Sequence, residues 1–225
     1  SMGIKVNRKK MGSIEALQGL RSYFSTRNNV LFLNKGLSKT QEKFLLAREL
    51  GFQFLALTER PYETVSKRSE SFDMMLNNFK ASYFGVALLM PEGNFIDEVK
   101  KVLGQHKWNA KSFAELISTF DVTPEMMMQR LTNILPKHFG IGNLFFLRMN
   151  GGKDGSRFEM TKELHLSQLH NPYANALHEH YCHRWVSIKS IKRVADLVRN
   201  KKYRSPLIDV QISQYWQTHN KYLCF

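Results

Sequence analysis

Apolar positions recur at helical spacing through the first two thirds of the chain and at strand-like spacing after it. Leu17, Leu20 and Phe24 fall on one face, predicting a helix from Ser13 to Phe24. Asn28-Asn29 reads as a turn before a short strand, Val30 to Leu33. Ser38 with Gln41 forms an S-x-x-Q capping box ahead of Leu46, Leu50, Phe54 and Leu57, a helix that Pro61 closes. The polar stretch Glu59 to Glu70 reads as a loop. Phe72 to Leu89 is a second long helix, stopped by Met90-Pro91-Glu92-Gly93, and Phe95 to Leu103 a short one. Ser112 and Glu115 form a further capping box before Phe113, Leu116, Ile117 and Phe120. Thr123 caps a helix with Pro124 at its first position and Met126, Met127, Met128 and Leu131 within it. A methionine cluster of this kind reads as adaptable core rather than a cofactor box.

After Gly140 the period changes. Leu144 to Met149 and Arg157 to Thr161 alternate like strands around Asn150-Gly151-Gly152-Lys153-Asp154-Gly155, a hairpin signal. Trp185 to Arg199 reads as a helix. Leu207 to Trp216 and Tyr222 to Phe225 form a second strand pair. The predicted fold class is α+β: a mainly helical domain followed by a small antiparallel sheet with a crossing helix. The boundaries are 1–12 as an added start and linker, with Ser1-Met2-Gly3 read as extraneous, then domains at 13–140 and 141–225.

The chemistry lies in Ala47-Arg48-Glu49-Leu50-Gly51-Phe52. An H-E-x-x-H helix binds zinc because His at i and i+4 share a face, with the Glu between them as base. Here Arg48 and Phe52 stand at the two ligand positions and only Glu49 is kept. Phe79-Lys80-Ala81-Ser82-Tyr83-Phe84-Gly85-Val86-Ala87-Leu88-Leu89-Met90-Pro91 resembles the E-x-x-x-F-A-x-x-L-L-M-P segment of ImmA/IrrE-type proteins, and Val122-Thr123-Pro124 with Gln129-Arg130-Leu131 is similar to a helix of the same domain. The resemblance implies a zincin-like fold over about residues 14 to 140, with Lys80 at the third ligand position. With all three ligands replaced, it implies a pseudo-peptidase: no metal and no catalytic residue. Glu49 is expected to pair with Arg48 or Lys80. Arg48, Lys80 and Tyr83 are candidate lining of a pocket that receives a carboxylate or phosphate.

Asn143 to Arg148, Glu163 to Leu166 and Tyr181-Cys182-His183-Arg184-Trp185 resemble the C-terminal domain of short-chain fatty-acyl-responsive regulators of the XRE helix-turn-helix type. The resemblance implies a sensor for an acyl-coenzyme A or related metabolite, with Arg148, His180, Cys182, Arg184, Trp185 and Lys189 as candidate ligand contacts. It also implies homodimers, and DNA bound through an N-terminal helix-turn-helix that is not legible in these residues.

Composition narrows the alternatives. The net charge is +14, from 33 Lys+Arg against 19 Asp+Glu, which favours polyanions or phosphorylated ligands. Lys189, Lys192, Arg193, Arg199, Lys201, Lys202 and Arg204 are countered only by Asp196, so a nucleic-acid-binding module at 189–204 is the rival reading. His165, His170, His178, His180, Cys182 and His183 crowd together without a zinc-finger spacing, leaving a metal or redox sensor at Cys182 as a third. Two cysteines make no disulfide framework and suit a reducing cytoplasm. No apolar run nears the ~18 residues of a membrane span, and no signal peptide or nucleotide- or serine-hydrolase motif is read.

Overall fold

The computed structural model describes residues 2–8, 11, 17, 20–61, 71–152, 155–166, 184–204, 206–214, 219 and 221–225. The order is β1 (Lys5–Asn7), β2 (Ser22–Ser25), β3 (Val30–Leu33), α1 (Lys39–Phe54), α2 (Phe72–Leu89), α3 (Glu92–Leu103), α4 (Ala110–Phe120), α5 (Pro124–Phe139), β4 (Phe145–Gly151), β5 (Phe158–His165), α6 (Val186–Arg199), β6 (Gln211–Gln214) and β7 (Lys221–Cys224). This is the expected mixture of helices and small sheets. The chain divides into two compact units: Ser1–Phe95 with Phe120–Met126, and Ile96–Thr119 with Met127–Phe225.

In the first unit β3 is the central strand, parallel to β1 and antiparallel to β2. Leu31, Leu33 and Leu45 of α1 form a buried cluster, packed by Ile4, Phe24, Leu37, Phe44 and Leu46. Strand β2 overturns the end of the helix expected over Ser13 to Phe24. Ser22 pairs with Leu33 and Phe24 with Leu31. Three apolar residues cannot hold a helical period against an open strand edge that offers ladder hydrogen bonds. The start of that expected helix lies outside the described residues.

Helix α1 begins as its sequence predicts. Gln41 N–H donates to Ser38 Oγ at 3.2 Å, and Ser38 N–H to Gln41 Oε1 at 2.9 Å. Helix α2 has Ser71 as its cap, accepting from Met74 N–H. α1 and α2 pack at backbone distance through two glycines. A Cβ on Gly85 would meet Arg48 N at 2.9 Å, and one on Gly51 would meet the Ala81 carbonyl at 2.9 Å.

In the second unit α4 starts earlier than its expected box. Asn109 Oδ1 accepts from the N–H groups of Lys111 and Ser112, so Ser112 sits inside the helix rather than at its cap. Trp108, Phe113 and Phe225 form an aromatic cluster with centroids 4.9 to 6.1 Å apart. Met127 and Leu131 of α5 are buried, as is Met126, and Thr123, in the first unit's Phe120–Met126 segment, caps this helix through Met126 N–H at 3.3 Å. β4 and β5 make the expected hairpin, with a register shift after Arg148, and β6 pairs with β7. Ile188 of α6 is fully buried. Among the described residues no helix is long and apolar enough to cross a membrane.

Candidate functional site

The loop after α1 carries Arg60 back over the helix to Glu49. Arg60 Nη1 donates to Glu49 Oε1 at 2.7 Å, and the two side chains are 17% and 6% exposed. Gln53, one turn along α1, donates to the same oxygen at 3.1 Å. The guanidinium carbon of Arg60 lies 4.6 Å from the ring centre of Phe24 on β2 and 4.7 Å from that of Phe52 on α1. Arg60 is therefore held by one carboxylate and by two aromatic rings. Its Nε, buried, has no hydrogen-bond partner among the described residues.

Arg48 leaves this arrangement. Its Nη2 donates to Ser22 Oγ at 3.2 Å and its Nη1 lies 3.5 Å from Asn78 Oδ1 of α2. Burial pushes the Arg48 guanidinium down to about 10, against the opposing pull of Glu49. The cation on Glu49 is thus Arg60, rather than the Arg48 or Lys80 that the sequence suggested. Lys80 and Tyr83 are exposed on α2, and the α2 side chain brought to Arg48 is Asn78. Position along the helix decides this: Ala81 and Gly85 face α1, so their exposed neighbours Lys80 and Tyr83 do not.

Zinc does not fit these residues. The motif positions hold a guanidinium, a phenyl ring and an exposed ammonium, and the one carboxylate is taken by Arg60. Among the described residues no three His, Cys, Asp or Glu side chains come together.

Of the candidate ligand contacts in the second unit, Arg148 lies on β4 opposite Lys162, beside the register shift. Trp185 is the N-cap of α6 and makes no side-chain cap, with Arg184 and Lys189 exposed around it. His180 and Cys182 lie outside the described residues, as does most of the histidine cluster. Burial pushes the Cys224 thiol up, opposed by a hydrogen bond with Ser213, so it is held as a thiol. The structure adds a feature the sequence reading missed. A groove of about 360 Å³ lies between the hairpin and α6, lined by Gly151, Gly152, Ser190, Ile191, Val194, Ala195 and Val198. Its signal was the apolar stripe Ile191, Val194, Ala195, Val198, which reads equally as a core-facing side.

Comparison with known proteins completes the picture. No curated protein sequence matches. Among solved structures, a Mycobacterium tuberculosis transcriptional regulator superposes with a TM-score of 0.54 at 18% identity. The likeness covers 85% of this chain and 52% of that one, so the chain spans about half the length of that regulator. Residues 1–132 match the family described as the IrrE N-terminal-like domain, peptidase M78. That stretch is more than half of the chain, and with its altered ligand positions the chain belongs to this family.

Proposed function

We propose that this chain is the effector region of a transcription regulator, in which a metal-free IrrE-like unit and a C-terminal sensing unit report a metabolite to a DNA-binding domain. The reading rests chiefly on the Glu49–Arg60 pair. A peptidase needs its carboxylate free to act on a metal-bound water. Here that carboxylate is buried against an internal guanidinium between two rings. What remains is a fold with binding surfaces, and its likeness to a transcriptional regulator supports a regulatory use.

The metabolite is an acyl-coenzyme A or a related short-chain ester, and the region acts as a homodimer. Two features support this ligand class. The α6 groove is apolar and of a size for a short acyl chain, and α6 also carries exposed cations for phosphates. Arg184, Lys189 and Arg148 are the cations assigned to the coenzyme, and Trp185 the ring assigned to stack on its adenine. His180 and Cys182, outside the described residues, are proposed contacts on the family resemblance alone. Binding then biases a two-state arrangement passed to the DNA-binding domain.

A thermal melt with a panel of acyl-coenzyme A esters tests this. A ligand at ~100 times its Kd stabilises by about 2.7 kcal/mol, roughly 5–10 °C for a chain of this length. Arg184→Glu should shrink the shift. A panel that leaves the melt unmoved overturns the ligand class.

One observation favours a second reading. Lys189, Lys192, Arg193, Arg199, Lys201, Lys202 and Arg204 are all exposed, with Asp209 paired to Arg193 and Asp196 to Arg199. Such a surface binds nucleic-acid phosphates without reading sequence. Tight, sequence-specific retardation of duplex DNA at physiological salt would replace the sensor reading with this one.

A further inference from the structure

The face of α2 turned away from α1 is apolar and, among the described residues, uncovered. Phe72, Phe79 and Tyr83 are 70%, 57% and 44% exposed, and Leu76 between them is half-buried. Met75, on the flank, is 51% exposed. At 100° per residue Phe72, Leu76, Phe79 and Tyr83 fall within about 60° of arc, a single line down the helix. Their 4-3-4 spacing is that of a two-helix seam. Solitary exposed apolar residues need no partner, whereas a lengthwise row of them is a contact surface.

We infer that α2 is the two-fold contact of a homodimer, packed antiparallel against α2 of a second copy. The occupant is read from charge. Asp73 and Lys80 flank the seam on the same side, one heptad apart, and both are exposed. Flanking positions on the same side meet each other across an antiparallel pair. The layers Phe72 with the partner's Tyr83, and Leu76 with the partner's Phe79, then bring Asp73 to the partner's Lys80. The dyad repeats that contact, so the surface is complementary to itself. A parallel pair would set Asp73 and Lys80 against Met75 and Ser82, where no charge answers. The overlap is about twelve residues, roughly 18 Å of helix. One helix pair of that length lies at the small end of specific interfaces, so the dimer should form on the order of micromolar concentration.

This surface names the contact for the homodimer of the proposed function, yet it is tested without any ligand, so the two readings fail separately. Sedimentation equilibrium of the chain should show a reversible monomer–dimer equilibrium. Phe79→Glu enters the seam twice and should weaken the dimer by ~100-fold or more, with the circular-dichroism melt of the monomer retained. Asp73→Lys and Lys80→Asp each set like charges across the dyad and should weaken it by roughly tenfold. The combined Asp73→Lys/Lys80→Asp chain should regain the original affinity. A chain monomeric at on the order of 100 μM, a dimer indifferent to Phe79→Glu, or a double swap no tighter than the single ones would each overturn the inference.

Discussion

Replacing Glu49 by Gln removes one charge and almost no volume, and it tests how the first unit is held. In the native chain the Glu49 carboxylate accepts from Arg60 at 2.7 Å and from Gln53 at 3.1 Å, with both members of the ion pair largely buried. The substitution leaves a guanidinium between Phe24 and Phe52 with no anion. The rings hold it by roughly 0.5–2 kcal/mol, too little to replace its lost water. Removing one partner of a buried pair costs about 3–5 kcal/mol. For a chain of this length that is roughly 6–20 °C of melting temperature. Arg60→Met should cost a similar amount by stranding the carboxylate. The double variant Glu49→Gln/Arg60→Met leaves neither charge and keeps an apolar stem between the rings. It should therefore be more stable than the sum of the two single losses requires, by about 1–3 kcal/mol of coupling. Urea titrations of the four chains give the cycle. A Glu49→Gln chain within ~0.5 kcal/mol of the parent, or strictly additive losses, would refute the view that this pair organises the unit.

Gly85→Ala should destabilise by about 1–3 kcal/mol, because its Cβ would meet backbone rather than a side chain that can turn away; a urea midpoint equal to the parent's would contradict the close α1–α2 approach. Asp121 is held below its ordinary value of 3.8 by its hydrogen bond with Lys43, then by that residue's charge, then by Thr40. A depressed carboxyl contributes stability above its ordinary value and loses it as pH falls through the lower folded one. Asp121→Asn should therefore flatten the acid limb of a stability–pH curve below about pH 4 and leave the alkaline limb alone. Phe52→His should not create a zinc site, since three ligands are needed and Glu49 is engaged by Arg60; stoichiometric zinc by elemental analysis would show the helix to be misread. The same substitution exchanges one of the two phenyl rings around Arg60 for a smaller, polar imidazole and should lower the melting temperature.

Local signals carried much of this structure. The Ser38–Gln41 box, the span of α2 and the loss of zinc ligands at Arg48 and Phe52 are properties of short segments, and each is visible in the residues themselves. The partner of Glu49 is not local. Arg60 follows it by eleven residues in a polar stretch that reads as plain loop, and only the path of that loop over β2 and α1 puts its guanidinium between Phe24 and Phe52. Strand β2 escaped for a related reason. Its edge is defined by β3, and a four-residue strand has too few positions to show period two. Asn109 escaped because Ser112 and Glu115 offered a better box three residues later, while the helix began where the first acceptor stood.

The buried pair also explains why this site does not lie one substitution away from metal chemistry. A carboxylate within α1 and behind β2 is costly unless a cation answers it. Zinc would supply that cation in a metallopeptidase, and Arg60 supplies it here. Placing His at position 52 exchanges a phenyl ring that holds Arg60 for an imidazole but does not remove Arg60, so the new imidazole and the metal would compete with a guanidinium already in contact with Glu49. Removing Arg60 first strands the carboxylate. Adding ligands at 48 and 80 first requires displacing Arg48 from Ser22 and Asn78. Each single step toward the metal loses stability before any affinity appears. The aromatic–carboxylate cage is therefore a self-consistent alternative to a zinc site, and it fixes the loop that follows α1 through side chains the first unit already possesses.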